Sequence, residues 1–394
     1  MREGYDFSSD PRLIGTHFAE HNEHYYNAVV PPVFMNSLNT FQTMDAYFDA
    51  DTEDPNTYVY GRVQNPTVRI LEDKIAALEH GTRAYAFASG MAAAATAVMT
   101  VCRAGDHIVC IRNVYGPLKK FTNEYCREYF QMDVTFVMGD DVQEIEEAVT
   151  DRTALVILES PASIMMRLQD IRAVVGIAKK HGAMVYIDNT YCTPIFQNPL
   201  DLGVDIVMHT LSKYIGGHSD IIGGVLVAKD KKLLQKISHH RELYGGILGP
   251  MEAWLALRGL RTLEVRLRQH EKTAMAVAEF LQGHEKITCV HYPGLASFPQ
   301  YELMKRQQRG NSGLMSFEID GNVEQAKKLC ELLQVFQIGV SWGGFESLAE
   351  VPYARMTEEE TAWLGARANV IRIHCGLEGE DILIADLEQA LSQI

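Results

Sequence analysis

Apolar residues are gathered into short runs along the first two thirds of the chain. Residues 84–88, 107–111, 134–138, 154–158, 184–187, 206–208 and 224–228 form seven such runs. They are unbroken rather than alternating, which predicts strands buried on both faces. Between them, 92–101, 142–149 and 171–180 carry apolar residues at helical spacing. Strand alternating with helix predicts βαβ units and a mostly parallel, seven-stranded sheet in an α/β fold. Ahead of the first run, 67–80 places Val68, Leu71, Ile75 and Leu78 on one helical face, with Pro66 at its start and Gly81 as its stop.

The pattern changes on either side of this block. Residues 1–60 have no sustained period and contain Pro31-Pro32 and the acidic tract 49–54, which predicts an extended N-terminal arm. Residues 251–283 read as one long helix with Trp254, Leu257, Leu260, Leu263 and Leu267 on one side. Its arginines Arg258, Arg261, Arg266 and Arg268 are expected to be solvated or ion-paired. Strand-like runs at 314–319, 337–341 and 370–373 then predict a smaller α/β domain. The expected organisation is an arm over 1–60, a large domain over 61–250, and a helix with a C-terminal domain over 251–394.

Composition narrows the function. The chain has 394 residues, 47% of them hydrophobic, enough for a large core. A net charge of −15 argues against general binding to nucleic acid or anionic membranes, but leaves room for a local basic pocket. Seven cysteines without a C-x-x-C motif suggest neither a disulfide framework nor a metal site. Cys192, soon after Asp188, is expected to be an ordinary core residue. The start, Met1-Arg2-Glu3-Gly4-Tyr5-Asp6, has no apolar leader core, and no run is long enough to span a membrane, so a cytoplasmic protein is expected.

The candidate chemistry lies at the ends of the apolar runs. The run 184–187 leads into Asp188-Asn189-Thr190, and 206–208 leads into His209-Thr210-Leu211-Ser212-Lys213. A lysine can form a Schiff base with an aldehyde, and an aspartate can keep a pyridine nitrogen protonated. Together they suit pyridoxal 5'-phosphate (PLP). Ser89-Gly90-Met91 opens a small-residue helix whose first N–H groups could face an anion. The hydroxyls of Thr210 and Ser212 could donate to phosphate oxygens. Tyr60 and Arg62 lie in the arm, from which a guanidinium could fork onto a phosphate of a neighbouring subunit. Tyr115 could stack on a cofactor ring. Arg372 sits inside an apolar run and needs an anionic partner, for which a substrate α-carboxylate is suited. Each feature also has an ordinary structural reading: an exposed lysine, a core tyrosine, a surface arginine or a tight helix start. Their joint occurrence favours the cofactor.

Taken in order, Tyr60-Gly61-Arg62, Asn65-Pro66-Thr67, Ser89-Gly90-Met91, Tyr115-Gly116, Glu159-Ser160-Pro161, Asp188-Asn189-Thr190, Thr210-Leu211-Ser212-Lys213, Gly217-His218-Ser219-Asp220, Glu346-Ser347-Leu348 and Arg372 resemble the Cys/Met-metabolism family of PLP enzymes. The resemblance runs from about residue 13 to the C-terminus and implies the fold-type I PLP-dependent transferase fold. It implies that Lys213 carries the cofactor and moves protons, that Asp188 pairs with the ring nitrogen and that Tyr115 stacks on the ring. Gly90, Met91, Thr210 and Ser212 would hold the phosphate, with Tyr60 and Arg62 of an adjacent subunit. Arg372 and the Ser341 region would take the substrate carboxylate. A homotetramer built as a dimer of dimers, with shared sites, follows from the same resemblance.

Within the family, Ser341-Trp342-Gly343-Gly344 and Ser163 resemble the bacterial β-lyase branch. Val340 stands where γ-synthases and cystathionine γ-lyases tend to carry glutamate, and Pro117 where methionine γ-lyases carry cysteine. These residues imply a carbon–sulfur lyase that cleaves L-cystathionine by β-elimination to homocysteine, pyruvate and ammonia, with cysteine desulfhydration as a side activity. The stretches 188–194 and 348–350 look more like γ-lyases. The alternative is therefore γ-elimination from methionine, homocysteine or a related amino acid. A non-catalytic PLP-fold binding protein is the third reading, opposed by the retention of both Asp188 and Lys213.

Overall fold

A computed structural model describes residues 6–51, 54 and 57–394. The expectation about the first five residues, and part of the acidic tract (Thr52 and Glu53), lie outside the described residues. Each of the seven predicted runs forms a strand: β1 (Arg83–Phe87), β2 (His107–Ile111), β3 (Asp133–Val137), β4 (Thr153–Glu159), β5 (Met184–Asp188), β6 (Ile206–Thr210) and β7 (Gly224–Ala228). They make one sheet in the order β1-β7-β6-β5-β4-β2-β3. The pairs among β3, β2, β4, β5 and β6 are parallel. Only β7 runs against its neighbours, β1 and β6. Helices such as Gly90–Val101, Ile171–Lys180 and Pro66–Leu78 bury the sheet, so strands such as β2 and β7 are inaccessible throughout. The parallel strands therefore end at one edge, where ligands bind in open α/β sheets.

A second sheet follows, in the order β10-β11-β12-β9-β8. Its strands are β8 (Ile287–His291), β9 (Leu314–Ile319), β10 (Gln337–Ile338), β11 (Leu348–Glu350) and β12 (Val370–His374). It has its own apolar core, including Phe317, Phe336, Ile371, Leu383 and Leu387. Two strands, β8 and β11, are absent from the sequence expectation. β8 is half exposed and mixed in polarity, and β11 has three residues, so neither makes an apolar run.

Three expectations are corrected. The long helix is two, Pro250–Leu260 and Leu263–Gly283, broken at Arg261-Thr262. Arg266 is buried, not solvated: its Nη2 donates to Gly259 O at 2.8 Å and its Nε to Thr262 Oγ1 at 3.1 Å, closing the break. The arm is not extended throughout. It contains the short helices Pro11–Thr16 and Met44–Phe48, and Ile14 is buried. Among the described residues no helix is long and apolar enough to cross a membrane.

Buried Lys74 ties the start of the chain to the large sheet's helices. Its Nζ donates to the carbonyls of Ile14 and Gly15 and pairs with Glu20, each at 3.0 Å. Glu20 also meets Arg261 at 2.8 Å, beside the helix break. Breaking a buried ion pair costs about 3–5 kcal/mol, and because Glu20 keeps Arg261 the lower end of that range applies here. Lys74→Met is expected to lower stability to urea by an amount in that range, of about 3 kcal/mol, and to expose the segment before residue 20 to protease. Unchanged unfolding and cleavage would contradict this role for Lys74.

Candidate active site

The strand ends that share the sheet edge open into a cavity of about 940 Å³, walled on the far side by the second sheet. Asp188 closes β5 and Glu159 closes β4, and the two are direct partners in the parallel register. Both are buried. Thr190 fixes the Asp188 carboxylate: its N–H donates to Oδ1 at 2.9 Å and its hydroxyl donates to the same oxygen. The Thr190 hydroxyl in turn accepts from the Thr210 N–H at 2.9 Å, tying β6 to the turn after β5. Glu159 accepts from the Tyr115 N–H at 2.7 Å and from the Ser163 hydroxyl at 2.5 Å. Burial, and then the neighbouring Asp188, push Glu159 up to about 8. Burial also raises Asp188, against the hydrogen bonds from Thr190.

Lys213 stands where β6 leads into its turn. Its Nζ donates to Ser341 Oγ and lies 5.3 Å from the centre of the Trp342 ring. Burial and then the Arg372 charge lower it to about 8, against the attraction of Asp188, Glu350 and Glu346. The segment holding Ser341 and Trp342 is pressed onto the lysine's backbone. A Cβ at Gly343 would come within 2.7 Å of Tyr214 N and 2.9 Å of Lys213 C, and Gly343 has φ +87°. Ser341 itself is held at φ +86°, a region that side chains rarely adopt. Arg372, on β12, pairs with Glu350 opposite it on β11 at 2.6 Å. The arginine that the sequence reading gave to a substrate thus also has an acidic partner within the chain.

The helix Gly90–Val101 begins at the same edge, capped by Ser89, whose hydroxyl accepts from Ala92 N–H at 3.0 Å. A Cβ on Gly90 would lie 3.1 Å from the Thr210 side chain, so the helix start needs a glycine to approach β6 this closely. The Ser212 hydroxyl accepts from Gly223 N–H at 3.2 Å, and that of Thr210 donates to Gly223 O at 3.0 Å.

Gly90, Met91, Tyr115, Asp188, Thr210, Ser212, Lys213, Val340, Ser341, Trp342 and Arg372 all line this one cavity. Tyr60 and Arg62 do not. Arg62 stacks on Tyr60 and donates to Glu242 O at 3.1 Å, away from the cavity of its own chain. Cys192 is buried and does not line the cavity. The sequence reading gave Glu159 no role, although it follows its apolar run just as Asp188 follows 184–187.

The model of the Cys/Met metabolism PLP-dependent enzymes matches residues 14–392. The chain belongs to this family. Its cofactor is PLP, its fold is the fold-type I fold, and it is a PLP-dependent enzyme of cysteine and methionine metabolism. L-methionine gamma-lyase of Pseudomonas putida is 38% identical over 372 residues, 92% of each chain. Cystathionine beta-lyase MetC of Bacillus subtilis is 38% identical, covering 90% of this chain and 91% of its own. The crystal structure of cystathionine gamma synthase from Xanthomonas oryzae pv. oryzae, in complex with aminoacrylate and cysteine, has a TM-score of 0.91 at 33% identity and covers 98% of each chain. The residues present fit the cofactor. A buried carboxylate with one oxygen held by Thr190 suits a cationic ring nitrogen, an amine of lowered basicity suits an aldehyde, and a glycine-opened helix suits a phosphate.

Only an unprotonated amine attacks an aldehyde. Capture of PLP by the apoenzyme is therefore expected to speed up as pH rises through about 8. Arg372→Leu removes a cation that disfavours the Lys213 ammonium, so its inflection should move to higher pH. Stopped-flow absorbance of PLP binding reads this, and an inflection that stays in place would contradict the coupling.

Proposed function

We propose that the chain is a PLP-dependent carbon–sulfur lyase that converts L-cystathionine and water to homocysteine, pyruvate and ammonia by β-elimination. The observation that carries this reading is the setting of Lys213, whose Nζ is held between Ser341 Oγ and the Trp342 ring, beside Arg372 and across the same cavity from Asp188. Bound PLP supplies an electron sink that acidifies the substrate α-carbon. Asp188 holds the proton on the ring nitrogen, Tyr115 covers the ring, and Gly90, Met91, Thr210 and Ser212 hold the phosphate. Arg372, which shares its charge with Glu350, takes the substrate α-carboxylate together with the Ser341 backbone. Lys213, at about 8, has a neutral fraction near neutral pH and removes the α-proton. Burial raises the Tyr115 phenol, helped by the Asp188 and Glu159 charges, so it stays protonated and donates to the leaving thiolate.

The β choice rests on reach. γ-Elimination needs a second proton moved at Cβ, so its lysine must serve two carbons. Trp342 packs on Tyr214, with ring centres 5.5 Å apart, and stands beside the Lys213 amine; we take this ring, with Ser163 and Val340, as favouring a lysine that serves one carbon. Relatives named gamma-lyases at similar identity favour the second reading, γ-elimination from methionine or a related amino acid. We further propose an oligomer, a dimer of dimers, in which Tyr60 and Arg62 complete the phosphate site of an adjacent subunit. Val29, Met35, Met44 and Phe48 of the arm are 61–80% exposed, an apolar surface suited to a second copy. Product analysis decides the activity. Pyruvate with homocysteine from L-cystathionine is expected, whereas 2-oxobutyrate with cysteine would overturn the β reading.

A further inference from the structure

A third carboxylate is buried beneath the strand ends, on the face of the sheet away from the cavity. Met208 and Thr210 of β6 line the cavity, so the residue between them, His209, points to the opposite face. There the helix Pro66–Leu78 ends in its cap residue, Glu79. Glu79 and His209 are both wholly inaccessible to solvent, and His209 Nε2 lies 2.6 Å from Glu79 Oε1. The other ring nitrogen, Nδ1, is buried with no hydrogen-bond partner among the described residues, so Glu79 alone holds the imidazole by a polar contact.

The same carboxylate holds the turn that carries Asp188. Asn189 Nδ2 donates to Glu79 Oε1 at 2.7 Å and to Gln197 O at 2.9 Å, and the Asn189 N–H donates to Met208 O at 2.9 Å. Asn198 Nδ2 donates to Glu79 Oε2 at 3.4 Å, and Arg309 Nη2 reaches the edge of the cluster at Asn198 Oδ1, 2.6 Å away. Glu79 thus grips the residue between Asp188 and Thr190 and the residue before Thr210, the three that are joined on the cavity face. A carboxylate shut off from water needs a cation. Among the described residues, His209 is the one titratable side chain bonded to Glu79.

The pair also acts on Asp188 through charge. Burial raises Asp188, and it is opposed first by the Thr190 hydrogen bonds, then by the His209 charge and then by Lys213 on the cavity side. Glu159, beside it on β4, is the facing carboxylate. We infer that Glu79 and His209 are positioning residues for Asp188: from beneath the sheet the pair anchors the turn after β5 and presents a positive charge to the carboxylate, so that Asp188 stays ionised and the proton stays on the cofactor's ring nitrogen. Neither residue touches the cavity.

The inference rests on the Asp188 reading and is independent of the choice between β- and γ-elimination. It is tested on holoenzyme loaded with 15N-labelled PLP. His209→Gln keeps a donor for Glu79 but removes the charge, and Glu79→Gln removes the anion that holds that charge in place. In both, the ring-nitrogen resonance is expected to move from its wild-type position toward that of Asp188→Asn. Exchange of the α-proton of L-alanine into D2O reports the electron sink without needing a leaving group, and is expected to slow by at least about tenfold in either variant. The double variant is expected to be no slower than the slower single one, because the two residues act as a unit. A resonance and an exchange rate that stay at wild-type values in the PLP-bound fraction, even where a variant melts earlier or holds less PLP, would mark the pair as structural only and overturn the inference. An unprotonated ring nitrogen in the wild type would overturn the Asp188 reading beneath it, and that result is seen before any variant is compared.

Discussion

Two carboxylates lie buried side by side at the ends of adjacent strands, and much of the site follows from that. Asp188 and Glu159 are register partners on β5 and β4, in a sheet whose buried side chains are mostly apolar. Burying one such group without compensation is unfavourable, and burying two is worse. The chain responds with donors. Thr190 holds one oxygen of Asp188, while Tyr115 N–H and Ser163 hold Glu159. These bonds also fix where the Tyr115 ring stands and how β5 meets β6. A cation placed against Asp188 relieves the remaining cost, and the protonated ring of PLP is such a cation. In the proposed arrangement the protein's electrostatic debt and the cofactor's need for a protonated nitrogen meet in one contact.

The second constraint is that the proposed catalytic amine and the proposed substrate anchor come from different sheets. Lys213 leaves β6, while Ser341, Glu350 and Arg372 belong to the second sheet and its loops. The join is tight where it matters. Gly343 touches the Lys213 backbone, and buried His374 donates from Nε2 to Gly344 O at 3.2 Å. Ser341 at φ +86° represents strain of about 1–3 kcal/mol, a cost that persists only where the surroundings hold the residue in place. What the strain secures is an oxygen against the lysine amine. The Arg112–Trp363–Lys119 contacts join the same two parts at another wall of the cavity.

Much of this was legible in the sequence, for a physical reason. Strands buried on both faces must be continuously apolar, so the seven runs stood out, and the polar residues that follow the runs 154–158, 184–187 and 206–208 marked the edge that opens into the cavity. What was not legible depended on long-range contacts. The reversal of β7 leaves no trace in its composition, because a buried strand looks the same in either direction. The break at Arg261-Thr262 involves neither glycine nor proline and is closed by Arg266 turning back onto Gly259. Lys74 reads as an ordinary helix lysine until the Ile14 and Gly15 carbonyls are placed above it. Glu159 was visible at a run's end, but its importance comes from its register with Asp188, which pairing alone decides. Tyr60 and Arg62 matched a motif, yet within one chain they lie away from the cavity.

The central claim is that the buried Asp188 carboxylate holds the cofactor ring in its cationic form. The 15N chemical shift of the ring nitrogen, measured on holoenzyme loaded with 15N-labelled PLP, reads this directly. The account predicts a protonated ring nitrogen from pH 6 to pH 9 in the wild type and an unprotonated one in Asp188→Asn. An unprotonated nitrogen in the wild type, or a shift unaltered by the substitution, would contradict it.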